Sequence, residues 1–151
     1  MRSKSFLRAA AVSAVLAVGA SSLALAFAGP VEDRQATMKD IGASMKDAVG
    51  LNSPATFDAA KVKATMGKVA DDAKKAAGLF PKGSDADPKT LADPKIWTDN
   101  ADFNKRLTEL ATLATAAGNS ADAAAYKTAF GDLNKTCKSC HDVYRKKKAA
   151  G

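Results

Sequence analysis

The chain has 151 residues, enough for one domain, with 46% apolar residues but only 6% aromatics and a net charge of +7. Alanine dominates the apolar count and Val, Ile and Thr are scattered, which favours helix over strand because alanine loses no side-chain entropy on entering a helix. The basic residues form no stripe interleaved with aromatics, so nucleic acid is excluded as a main partner.

Residues 1–28 read as a secretory signal. Arg2, Lys4 and Arg8 make a positive start, Ala9 to Ala26 carries no charge, and Ala26-Phe27-Ala28 offers the small residues a signal peptidase reads. An uncleaved membrane anchor is the competing reading, but the run is rich in Ala, Ser and Gly and ends in a good cleavage site. Cleavage after Ala28 removes three cations and no acid, taking the net charge from +7 to +4. A mature domain at 29–151, in the periplasm and with no stable membrane insertion, is the expectation.

Four helices are expected in the mature part. The first covers roughly Val31 to Val49, with Val31, Met38, Ile41, Met45 and Ala48 at three- and four-residue steps. The second runs from near Thr56 to near Gly78, with Ala59, Val62, Met66, Val69, Ala73 and Ala76 as its stripe. A long connection from Pro81 to Pro94 holds Gly83, Pro88 and two Asp-Pro pairs, which break helix. Phe80 and Trp97 flank it and are expected to anchor it to the bundle. The third helix spans about Asn100 to Ala117, with Phe103, Leu107, Leu110, Ala114 and Ala117 on one face. The fourth is expected to start with Ser120 as N-cap and to reach about Lys147, with Ala123, Tyr126, Phe130, Leu133, Cys137, Cys140 and Tyr144 inward. Such seams pack at a shallow angle, and the short links join antiparallel neighbours. The expected fold is an all-α, up-down-up-down four-helix bundle. Its many alanines bury little area, so a flat apolar cofactor in the core would help to stabilise it. The basic run Arg145-Lys146-Lys147-Lys148 suits the end of a helix, where cations oppose the dipole.

Chemistry concentrates in Cys137-Lys138-Ser139-Cys140-His141, which holds both cysteines and the single histidine of the chain. Thiols at i and i+3 lie on one side of a helix and can each add to one of two vinyl groups on a haem edge. The following histidine can then offer its imidazole to the iron, so the motif reads as covalent attachment of one haem c. Three other readings compete. A disulfide would close only a tiny mid-helix loop. A thioredoxin-like pair needs a βαβ context that this chain lacks. A zinc centre needs about four ligands, more than two Cys and one His supply. No Ser/His/Asp arrangement is present, so no enzyme and no catalytic residue is expected.

The place of this motif on the last helix resembles the cytochrome c′ family, the class II c-type cytochromes. The resemblance covers nearly the whole mature chain. It includes Arg34-Gln35, Lys39 to Met45 with Gly42, Leu79-Phe80-Pro81, Pro94-Lys95-Ile96-Trp97 and, most specifically, Cys137 to Lys147. It implies Cys137 and Cys140 as thioether residues and His141 as the proximal iron ligand. It also implies Arg34 on a haem propionate, Gln35 against the haem edge, and Arg145 near the proximal face, where a solvated tail charge is the other reading. Met38, four residues beyond Arg34, falls at the position that covers the distal face. A methionine there can bind the iron, as in the low-spin members, or fill space and leave the iron five-coordinate. Gly42 would let the ring approach, while Met45 and Met66 read as core or pocket lining. Three functions follow from these alternatives: a periplasmic electron carrier with redox partner proteins, a module binding nitric oxide or carbon monoxide at an open sixth site, or a haem-free structural bundle. The resemblance also implies an antiparallel homodimer through helices 1 and 2.

Overall fold

The computed structural model describes residues 29–147, so the signal-like segment and the last four residues, Lys148 among them, lie outside the described part. The elements in chain order are α1 (Pro30–Val49), α2 (Ala59–Ala76), α3 (Lys95–Thr98), α4 (Asn100–Gly118) and α5 (Ala123–Tyr144). Each start has a local cause. Pro30 opens α1 with its φ preset, and Glu32 and Asp33 sit in its first turn against the helix dipole. Asp58 caps α2 by accepting from the backbone N–H of Ala60 and Lys61, both at 3.0 Å.

Two boundaries differ from the sequence expectation. Ser120 is not the cap of the last helix. Its N–H is still engaged on Ala117 O, closing the end of α4, so the next helix opens two residues later on Asp122, whose carboxylate accepts from Ala125 N at 2.8 Å. At its other end, α5 stops at Tyr144 rather than Lys147. Arg145 is extended and pairs with Ala92, through Asp93 N to Tyr144 O at 2.9 Å and Lys146 N to Leu91 O at 2.8 Å. The short α3 was not foreseen, because four residues carry no readable period.

The long helices run up, down, up, down. α1 packs on α2, α2 on α4 and α4 on α5. At one end the core joins Ala48 of α1 to Tyr126 and Phe130 of α5. The buried Tyr126 donates its phenol to Ala48 O at 3.2 Å. At the opposite end Ala76 of α2 meets Phe103 and Leu107 of α4 and Tyr144 of α5. Val62, Met66, Val69 and Leu133 are fully buried, and each contributes roughly 1.5–3 kcal/mol through apolar burial. Small residues let α2 and α4 approach closely: a Cβ on Gly118 would lie 3.2 Å from Met66 Cβ. The buried face of α1 is more polar than expected. Arg34, Thr37 and Ser44 are buried along it, and Met38 and Met45 are only half-buried. Ala59, expected inward, is exposed.

Tyr126 and Tyr144 are both buried, which gives the fold an alkaline limit. Burial pushes the Tyr126 phenol up to about 12. The Tyr144 phenol rises too, through burial first and then through its hydrogen bond to Asp102. Folding holds both phenols neutral, so this stabilisation is complete below the ordinary value of about 10. It falls by about 1.4 kcal/mol per pH unit for each tyrosine above it. The two are the only tyrosines. Absorbance at 295 nm should therefore show no phenolate until helical circular dichroism collapses. A rise centred near pH 10 with the helices intact would contradict their burial.

Candidate functional site

At the end where α1 and α5 part, a cavity of about 310 Å³ opens between them. Arg34, Gln35, Met38 and Lys39 line it from α1, and Cys140, His141, Tyr144 and Arg145 line it from α5 and the residue after it. Phe80, Leu91, Ala92, Ile96, Phe103 and Leu107 complete a mostly apolar wall. The C-x-x-C-H residues sit here because α5 is continuous through 137–141, which keeps the two thiols on one side of the helix. Both cysteines are free and half-buried. Cys137 packs against the core at the Tyr126 end and Cys140 against the cluster around Phe103.

The electrostatics suit a neutral histidine. His141 is exposed at the cavity mouth, yet the surrounding protein lowers its pKa by desolvation, Arg145 lowers it further, and Asp142 opposes them. A neutral imidazole is the form that binds a metal. Burial raises both thiol pKa values, with Arg106 working against the rise at Cys140. Asp102, held below the usual carboxylate range by its bonds from Tyr144 at 2.6 Å and from Arg106 at 2.6 Å, ties α4 to the end of α5.

The structure brings Arg34, Gln35, Met38, Cys140, His141 and Arg145 to one cavity. Cys137 lies one turn deeper, toward the core. Arg34 is buried and directs its guanidinium into the 79–94 segment, over the rings of Phe80 and Trp97. Gln35 donates to Lys89 O at 2.9 Å. Met45 and Met66 belong to the core and do not line the cavity. A Cβ at Gly42 would meet nothing within 4 Å. Trp97 anchors the connection as expected, donating to Phe80 O at 3.2 Å and to Pro81 O at 3.1 Å. Phe80 does more than anchor, since it walls the cavity. Sequence reasoning missed Ser84 and Thr90, which receive Arg34, and the Tyr144–Asp102–Arg106 set. The i, i+4 spacing of Asp102 and Arg106 was a readable signal for the second, and the first pairing spans too much chain to be seen.

The cavity suits a flat apolar group with an iron and acidic side arms. It has apolar walls, one thiol with a second a turn deeper, an imidazole, a half-buried thioether and a buried cation with no direct carboxylate partner among the described residues. Among those residues no three His, Cys, Asp or Glu side chains come together. The cytochrome c′ family model matches residues 29–145. The chain belongs to the cytochrome c′ family. It is 39% identical over 145 residues to cytochrome c′ of Rhodopseudomonas palustris, covering 95% of this chain and 99% of that protein. It is 38% identical over 124 residues to cytochrome c-556 of Agrobacterium fabrum, covering 80% of this chain and 84% of that one. The solved structure of cytochrome c′ from Rhodopseudomonas palustris superposes with a TM-score of 0.73 at 39% identity, covering 82% of this chain and all of that one. The four-helix bundle and a covalently bound haem c as cofactor follow from that membership. No helix among the described residues is long and apolar enough to cross a membrane.

Proposed function

We propose that this member of the family is a periplasmic electron carrier. In this reading haem is attached through Cys137 and Cys140, His141 is the proximal ligand and Met38 is the distal ligand. One observation carries the reading: Met38 on α1 and His141 on α5 line the same cavity from the two helices that border it. The haem supplies a one-electron couple. The protein contributes an uncharged imidazole, held neutral by desolvation and by Arg145. Met38 contributes a soft thioether, which favours the ferrous state and raises the potential. Phe80, Ile96, Phe103 and Leu107 exclude water and make the extra charge of the ferric state costlier. Arg34 and Gln35, which both line the cavity, are the donors this reading offers to the acidic arms of the cofactor. The names of the relatives, c′ and c-556, leave the role at the sixth position open within the family.

The test is the absorption spectrum of the purified, reduced protein with and without carbon monoxide. Sharp, split visible bands that resist the gas are the expected result, and they mean a six-coordinate iron. A broad spectrum that shifts on adding the gas would replace electron transfer by binding of nitric oxide or carbon monoxide. A visible band that does not survive denaturation would sink covalent attachment at Cys137 and Cys140.

A further inference from the structure

The segment 79–94 lends Phe80, Leu91 and Ala92 to the cavity wall and is fastened at both sides. On the α1 side the buried Arg34 makes most of the bonds, with Gln35 donating to Lys89 O at 2.9 Å and Glu32 pairing with Lys89 at 3.6 Å on the exposed surface. Arg34 Nη1 donates to Ser84 Oγ at 2.8 Å and to Leu79 O at 3.4 Å, and Nη2 donates to Ser84 O at 2.9 Å and to Thr90 Oγ1. All four hydrogen bonds of this guanidinium go to the one segment. The bend between Ser84 and the start of the segment uses Gly83 at φ +85°, a conformation that a side chain would strain. Thr90, itself buried, passes the fastening on: its Oγ1 also accepts from Ala92 N at 3.1 Å. On the α5 side the backbone holds it. Ala92 pairs with Arg145 through the bonds from Asp93 N to Tyr144 O and from Lys146 N to Leu91 O. Arg145 itself donates its N–H to His141 O at 3.2 Å, and its side chain lines the cavity beside that histidine.

The chain of contacts is therefore Arg34, Thr90, Ala92, Arg145, running from one wall of the cavity to the other along the strap, with Ala92 buried against Phe103 and Tyr144. We propose that Arg34 is a positioning residue that acts through this strap to hold Arg145 beside His141. This goes beyond a contact between Arg34 and the cofactor, and it holds whether or not Met38 binds the iron. With Arg145 held in place, its positive charge beside His141 favours the ferrous state. Arg145 is exposed, so the strap acts by fixing where its charge stands; with the strap loose, that charge is no longer held beside His141.

The experiment uses the haem-loaded protein and the double variant Ser84→Ala/Thr90→Val, which removes side-chain acceptors while leaving the Arg34 charge. Trypsin reads the strap, because Lys82 and Lys89 are both exposed within it. Cleavage there should be about tenfold faster or more, since bonds to a charged donor are the stronger kind. The reduction potential should fall. In an Arg145→Gln background the same double variant should still speed cleavage but leave the potential unchanged. An equal fall in both backgrounds would overturn the proposal, because the strap would then act on the haem without Arg145. So would unchanged cleavage at Lys82 and Lys89, or equal acceleration at the helical sites Lys46 and Lys61, which would make Arg34 a general stabiliser. If the double variant fails to fold, Ser84→Ala alone gives the same readings with a smaller change.

Discussion

In the proposed reading, Met38→Ala should turn a carbon-monoxide-resistant protein into one that binds the gas. The side chain is half-buried, packs against both core clusters and lines the cavity opposite His141, so truncation would remove the proposed distal ligand and leave room where it stood. The size of the effect follows from competition. If the thioether occupies the iron 99% of the time, the apparent affinity for an external gas is lowered about a hundredfold, and removing the thioether restores it. Carbon monoxide titration of the reduced protein should show a tightening of that order, together with a fall in potential as the soft ligand is lost. An unchanged affinity would mean that Met38 only fills space, and the reading of the site would pass to gas binding. Thermal stability should fall too, by about 2–5 kcal/mol at most for a fully buried methionine and by less at this half-buried position.

Most of the bundle was legible because its signals are local. The three- and four-residue steps of Phe103, Leu107, Leu110, Ala114 and Ala117 put those residues inside, and every one is buried. The same held for Val62, Met66, Val69, Ala73 and Ala76 on α2. On α1, Val31, Ile41 and Ala48 are buried as the periodicity predicts, but Met38 and Met45 are only half-buried, and Arg34, Thr37 and Ser44 complete the buried face in their place. Hydrophobicity alone cannot show that an arginine is buried when its partners lie in a loop some fifty residues away, and these are Ser84 and Thr90. Thr37 Oγ1 is buried without a partner among the described residues, a placement that no pattern of apolar residues would suggest.

The ends of the helices failed for a similar reason. Ser120 has the chemistry of a cap, yet its N–H was already taken by the end of α4. The basic residues 145–147 have the composition of a helix end, yet the chain leaves the helix there because the strap offers backbone partners at Leu91 and Asp93. Both are tertiary facts, set by segments distant in sequence. The motif Cys137-Lys138-Ser139-Cys140-His141 was legible as chemistry because its spacing fixes geometry within one helix. The walls that make its environment apolar come from α3, α4 and the strap and were not.

His141→Ala tests the other axial position. Cys137 and Cys140 remain, so in the proposed reading covalent haem survives denaturation as it does in the parent protein. The low-spin ferrous bands should disappear entirely, because no other histidine exists in the chain to replace the lost nitrogen. The imidazole of His141 sits at the mouth of the cavity, exposed enough for a small molecule to take its place. Added imidazole should therefore restore much of the parent spectrum, whereas it should leave Met38→Ala without its thioether band. A variant that keeps the parent spectrum without imidazole would show that His141 is not a ligand. Rescue also separates loss of the ligand from loss of the fold, since an unfolded bundle would bind imidazole without regaining the Met38 side of the site.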